Sequence, residues 1–197
     1  MRIQFRMTPF SRLCFLISTL SLLMFAAGCV TTWVGEATSI IQLLVPAISA
    51  ALGILAAFGV GISPTVMAAV QSWANQATTA LQTVAGLIDQ YSTAEASAQP
   101  GILNEIQTAL STVVSNLTTI LPELHVNDPS TQAKILAIIE AIQAEMSALI
   151  NVIPAIQGKV TSHEEMKALV AAVKGPKEFK AEFNTMVTEF GRQYELQ

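Results

Sequence analysis

Residues 40–62 read IIQLLVPAISAALGILAAFGVGI, 23 positions without a charge. At a rise of about 1.5 Å per residue such a helix reaches roughly 35 Å, the depth of a bilayer. The charge-free run is longer still, because no Asp, Glu, Lys or Arg lies between Glu36 and Asp89. A helix apolar on nearly all faces is either the centre of a bundle or a membrane segment. The rest of the chain bears on that choice.

After Pro64 the chain reads as a series of amphipathic helices. Ser63-Pro64 places an N-cap serine before a proline at the first helical position. The helix it opens carries Val66, Val70, Trp73, Ala77, Ala80, Val84 and Leu87, spaced 4 and 3 alternately as in a coiled-coil seam. Its other side, Gln71, Asn75, Thr78, Gln82 and Thr83, is polar and uncharged, a poor surface for hydrocarbon. Ser92–Gln99 reads as a linker. Pro100 opens a helix with Ile102, Ile106, Ala109, Val113, Leu117 and Ile120, and Pro122 stops it. Asp128-Pro129 opens another, with a stripe of Ile135, Ile138, Ile142, Met146, Leu149 and Ile153, kinked or ended at Pro154 and finished by Gly158.

The remaining tract has a different composition. From Ala37 to Ala133 the charged residues are all acidic, whereas from Lys159 onward six basic residues face six acidic ones. Ser162 and Glu165 form a capping box that opens a short helix through Val173, and Lys174-Gly175-Pro176 stops it. A last helix carries Phe179, Phe183, Met186, Val187, Phe190 and Tyr194. The fold expected is all-α: an up-and-down bundle of about four long helices over 39–158, the first running from Ser39 to Val60, and a charged C-terminal helical pair over 159–197, all preceded by a helix in the N-terminal leader. Helix starts at prolines 64, 100 and 129 fit no repeat consensus, and shared bundle composition accounts for them.

The N-terminus has its own pattern. Arg2, Arg6 and Arg12 precede a 15-residue apolar run, Leu13–Ala27, with no acid among them. A positive start, a short apolar core and small residues at the end describe a secretory signal peptide, too short for a span of about 20 residues. The stretch Phe25-Ala26-Ala27-Gly28-Cys29 resembles the lipobox of bacterial lipoproteins, with Ala26 where Leu is commonest. That resemblance covers the leader only. It implies a diacylglyceryl group on the Cys29 thiol, cleavage before Cys29 and acylation of the new amine. Residues 1–28 are then a leader and 29–38 a lipidated tether. By the same resemblance, Val30 rather than Asp after the cysteine implies sorting to the outer membrane, facing the periplasm. The cysteine count agrees: Cys14 lies inside the leader and Cys29 is the other, so no disulfide remains after cleavage. Trp33 then lies near the anchor, either at the headgroup level or in ordinary packing.

Composition limits the chemistry. The chain has 12% charged residues and a net charge of −4, and without the three leader arginines the balance is −7, with no basic patch for nucleic acid. His125 and His163 are the histidines. His163-Glu164-Glu165 lacks the second histidine of a zinc helix, and the capping box explains Glu165. His125 and Asp128 read as turn and N-cap. Glu140 with Glu145, and Glu178 with Glu182, read as helix-surface carboxylates, while Met146, Met166 and Met186 sit at core positions. No nucleophile elbow, phosphate loop or dinucleotide fingerprint occurs. The expectation is a non-enzymatic envelope protein without catalytic, metal or cofactor residues, held to the membrane by Cys29 and contacting a protein partner or itself through its helices. Two alternatives stand beside it: a membrane-active protein that inserts 40–62, and a carrier of an apolar ligand between helices.

Overall fold

A computed structural model describes the backbone of residues 9–158 and 173–197, and the side chains of 33–158 and 173–197. The chain divides into two compact units, Met1–Gly35 and Glu36–Gln197. In the first, the described backbone is helical. The second holds the bundle. The fold is all-α, and the described residues include no strand.

Among the described residues five helices follow in order: α1 Pro9–Phe58, α2 Pro64–Thr93, α3 Gln99–Ile120, α4 Pro129–Ile156 and α5 Pro176–Val187. Three start where capping chemistry places them. The Ser63 hydroxyl accepts from the Val66 amide at 3.2 Å, and Asp128 Oδ2 accepts from the Thr131 amide at 2.7 Å. At α5 the Glu178 carboxylate accepts from the Gly175 amide at 3.4 Å. That is half of a capping box, since glycine has no side chain to supply the other half.

Short connections join α1 to α2, α2 to α3 and α3 to α4. Residues 94–98 join α2 to α3, and the Trp73 indole donates to the Val113 carbonyl at 3.0 Å across that pair, in the core. Between α3 and α4 the chain makes a 3-10 turn, Leu121–Glu123, where the sequence reading has a helix stop and loop. The Gln132 side chain then clamps the loop, donating to the Leu124 carbonyl and accepting from the Val126 amide. Gly61, at φ 101°, turns α1 into α2. A Cβ there would lie 2.1 Å from Asn127 Oδ1, and the Asn127 amide donates to the Val60 carbonyl at 2.8 Å. The α1–α2 turn is thus seated on the α3–α4 loop.

Within the second unit, the α1 residues Ile40, Ile41, Leu44, Ala47, Ile48, Ala51, Ile54 and Leu55 are buried, while Gln42, Pro46 and Ser49 are exposed. Ile48, Leu55, Trp73, Leu117, Ile139 and Ile142, drawn from α1 to α4, surround one small apolar gap where the four helices meet.

Several expectations are corrected. Helix α1 runs from Pro9 to Phe58 rather than from Ser39 to Val60, and the backbone of 29–38 is helical within it. Isolated glycines such as Gly28 and Gly35 weaken a helix by about 1 kcal/mol each without having to stop it. In α2 the buried line takes in Leu81, Ile88 and Tyr91, while Val66 and Ala80 are half-buried. A nearly straight helix of 3.6 residues per turn drifts off a strict 3.5 seam. In α3, Leu103 and Leu110 face inward, with Ile102, Ala109 and Ile120 at the margin. Pro154 lies inside α4, two residues before its end. The last helix stops at Val187 and continues as 3-10 turns, Thr188–Phe190 and Arg192–Tyr194, separated by Gly191 at φ 129°. The expected helix opened by Ser162, with His163, Glu165 and Met166, lies outside the described residues.

Candidate functional site

Cys29 lies within helix α1; its side chain lies outside those described. His125 is exposed on the α3–α4 loop, with Nδ1 3.2 Å from the Glu123 carbonyl. Asp128 serves as the N-cap of α4, and its bonds with Thr131 hold its carboxyl below the ordinary carboxylate range. The two residues are not brought into a cluster: no group of three metal-ligating side chains occurs among the described residues.

Glu145 is the residue that the sequence reading placed wrongly. It is not a surface carboxylate but is 2% exposed, the buried charged side chain in a core otherwise hydrophobic among the described residues. It lies on the inward side of α4, one turn from Ile142 and from Leu149, both buried. Its Oε1 has no hydrogen-bond partner. Removal from water disfavours the charged form and pushes its pKa up from 4.5 to about 7. The nearby Lys174 ammonium and backbone amide pull the other way, and the Glu182 carboxylate adds to the rise. Lys174 itself is ion-paired with Glu182 on the surface. One ammonium therefore stands between two carboxylates, one dry and one wet, where the C-terminal segment meets α4.

Two other features could in principle hold something. The apolar gap where the four helices meet measures about 10 Å³, barely one water and far below a lipid or drug-sized ligand. A shallow hollow of about 590 Å³ along α3 is lined by uncharged polar groups including Asn104, Thr108, Ser111, Thr112 and Asn116. It is open to solvent, and some of these groups are already engaged: Asn116 donates to Gln76 of α2 and Asn104 accepts from Gln157.

Two segments, Trp33–Phe58 and Pro129–Ile156, are long and apolar enough to cross a membrane. Their most apolar windows are 44% and 50% buried within the protein, and the core helix of a soluble protein has the same length and composition.

The C-terminal segment lies over α1 and α4. The Tyr194 hydroxyl lies 3.5 Å from the Gly53 carbonyl, Phe190 meets Phe58 edge-on at 5.1 Å, and Glu189 pairs with Lys134. The Asn184 side chain bonds both the amide and the carbonyl of Leu196, tying the tail back onto α5.

No protein-family model, curated protein or solved structure compared with this chain matches it.

Proposed function

We propose that this chain is a lipid-anchored helical-bundle protein of the bacterial envelope, with a structural or protein-interaction role. The observation that supports it is the leader: three arginines, the apolar run to Ala27, and the lipobox-like Phe25-Ala26-Ala27-Gly28-Cys29. Acylation on both the thiol and the new amine would supply the two or more chains that stable anchoring needs. The body beyond Cys29 is a helical bundle with polar outer faces on α2 and α3, suited to contact with another protein or a second copy. An outer-membrane address facing the periplasm goes with this reading. Intact mass of the protein from its native membrane tests cleavage and acylation together. The expected mass is that of residues 29–197 plus a diacylglyceryl group and an amide-linked acyl chain, and Cys29→Ala should shift the protein out of the acylated membrane fraction. A native polypeptide with residues 1–28 attached and a free thiol would overturn the reading.

A second reading has an observation of its own: the length and apolar composition of Trp33–Phe58 and Pro129–Ile156. It is insertion of the first segment into a bilayer. Dye release from liposomes by protein lacking the leader would support it, and intact vesicles across lipid compositions and pH would remove it.

A further inference from the structure

Glu145 has no use in the reading above, yet burying a carboxyl with an unpartnered oxygen is costly. Its position gives the cost a consequence. It is buried on α4 beside the start of the C-terminal segment, where it bonds the Lys174 backbone and feels the charges of Lys174 and Glu182. These two are the charged groups that act on it among the described residues; α1, α2 and α3 bring none. Lys174 is already engaged by Glu182. A neutral Glu145 asks nothing of that pair. An ionised one would compete with Glu182 for a single ammonium while still lying between the buried Ile142 and Leu149, one turn away on its own helix.

We propose that Glu145, Lys174 and Glu182 form a proton-operated latch: with Glu145 protonated, the segment from Lys174 through α5 stays closed on α4, and loss of that proton opens it. Opening lets water reach the carboxylate. The closed form holds the proton more tightly than the open one, so proton loss favours opening; the sign follows from linkage. With a closed-state value of about 7 and an ordinary value of 4.5, the opening equilibrium should rise by about thirtyfold between pH 5.5 and 8.5. The segment that opens carries Phe179, Phe183 and Val187, all buried when closed, and leads into the turns that hold Phe190 and Tyr194 against α1. The latch thus controls exposure of an apolar surface at near-neutral pH.

Hydrogen–deuterium exchange on the full-length chain tests this, with rates corrected for the intrinsic effect of pH. Amides of 176–187 should lose at least tenfold of their protection between pH 5.5 and 8.5, while those of α3 hold theirs. Glu145→Gln should abolish the difference. Two surface variants guard against a folding defect in that one. Glu182→Gln removes a like charge, so it should lower the Glu145 midpoint, read by carboxyl carbon NMR, and shrink the response. Lys174→Gln removes the attraction, so it should raise the midpoint and enlarge the response. A midpoint near 4.5, α5 protection that does not change with pH, or an equal change in Glu145→Gln would overturn the latch.

Discussion

Gly53 offers a test of whether the C-terminal segment is part of the bundle or merely rests on it. A Cβ added at residue 53 would lie 2.8 Å from Tyr194 Cε1 and 3.5 Å from Cδ1. The first distance is below any ordinary carbon contact, so the ring must retreat. Two opposing effects then meet in Gly53→Ala. Alanine in a helix interior is better than glycine by about 1 kcal/mol. Forcing a packed ring outward costs about 1–3 kcal/mol, as overpacking generally does. The ring cannot tilt freely, because it belongs to the 3-10 turn held between Gly191 and the Asn184–Leu196 bonds. The overpacking term should therefore win, and Gly53→Ala should destabilise the protein by roughly 0.5–2 kcal/mol. With Tyr194→Ala in place the obstacle is gone, and the same substitution should stabilise by about 1 kcal/mol. Urea unfolding of the four proteins, followed by tryptophan fluorescence, gives the cycle. A coupling of at least about 1 kcal/mol is expected. Effects that add within about 0.3–0.5 kcal/mol would mean that Tyr194 does not lie on Gly53 in solution, and that the segment is not docked over α1.

Other substitutions probe separate parts of the fold. Phe183 is 0% exposed, so Phe183→Ala should cost about 3–5 kcal/mol by denaturant unfolding; a loss below about 1 kcal/mol would place α5 outside the cooperative core. Trp73→Phe removes the buried bond to the Val113 carbonyl and part of the ring volume, and should cost about 1–3 kcal/mol, with α2–α3 amides showing the largest rise in exchange. On α1, Ser49→Lys should leave stability within about 0.5 kcal/mol, whereas Ala47→Lys, at a position 0% exposed, should prevent folding; equal tolerance would refute the orientation of this helix. Asp128 has its pKa lowered from 3.8, first by Thr131, so its ionised form adds stability that is whole above pH 3.8 and lost as pH falls through the lowered value. Asp128→Asn keeps a good N-cap without the charge, and the stability difference between the two proteins at pH 6 should shrink as pH falls below 3.8.

The residues differ in how plainly the sequence showed their place. The starts at Ser63-Pro64 and Asp128-Pro129 were legible because N-cap and proline chemistry is local. The α4 stripe from Ile135 to Ile153 was legible in full, since large aliphatics recur there at intervals of 3 and 4, and every member is buried. The α3 stripe was half legible, because Ile102 next to Leu103 and Ala109 next to Leu110 offer two registers, and only packing against α2 and α4 chooses. Glu145 was misread through its charge. Its spacing placed it on the inward side, three residues after Ile142 and four before Leu149, and only its chemistry suggested solvent. Periodicity was the better guide. The folding of the last ten residues over α1 depends on contacts such as Tyr194 with Gly53, 141 positions apart, which no local pattern encodes.

Helix α1 is the case in which composition and phase give different answers. By composition, residues 40–58 are apolar all round and serve a bilayer as well as a bundle. By phase they do not. Gln42, Pro46, Ser49 and Gly53 succeed one another at intervals of 4, 3 and 4, a single line along a helix. The first three are exposed, and the fourth lies under Tyr194. The opposite line, from Ile40 through Leu44, Ala47, Ile48, Ala51 and Leu55, is buried throughout. The exposed line also manages the helix's own defects. Pro46 withholds an amide from the Gln42 carbonyl, and an outward position lets water satisfy that oxygen. The Ser49 hydroxyl donates to the Val45 carbonyl at 3.1 Å, an internal bond that asks nothing of a neighbour. In hydrocarbon the same line would leave an amide side chain and a freed carbonyl without water. The one-sided placement of these residues therefore suits a helix with one face on a bundle and the other on water or on the protein's own C-terminal segment, where Tyr194 lies over Gly53.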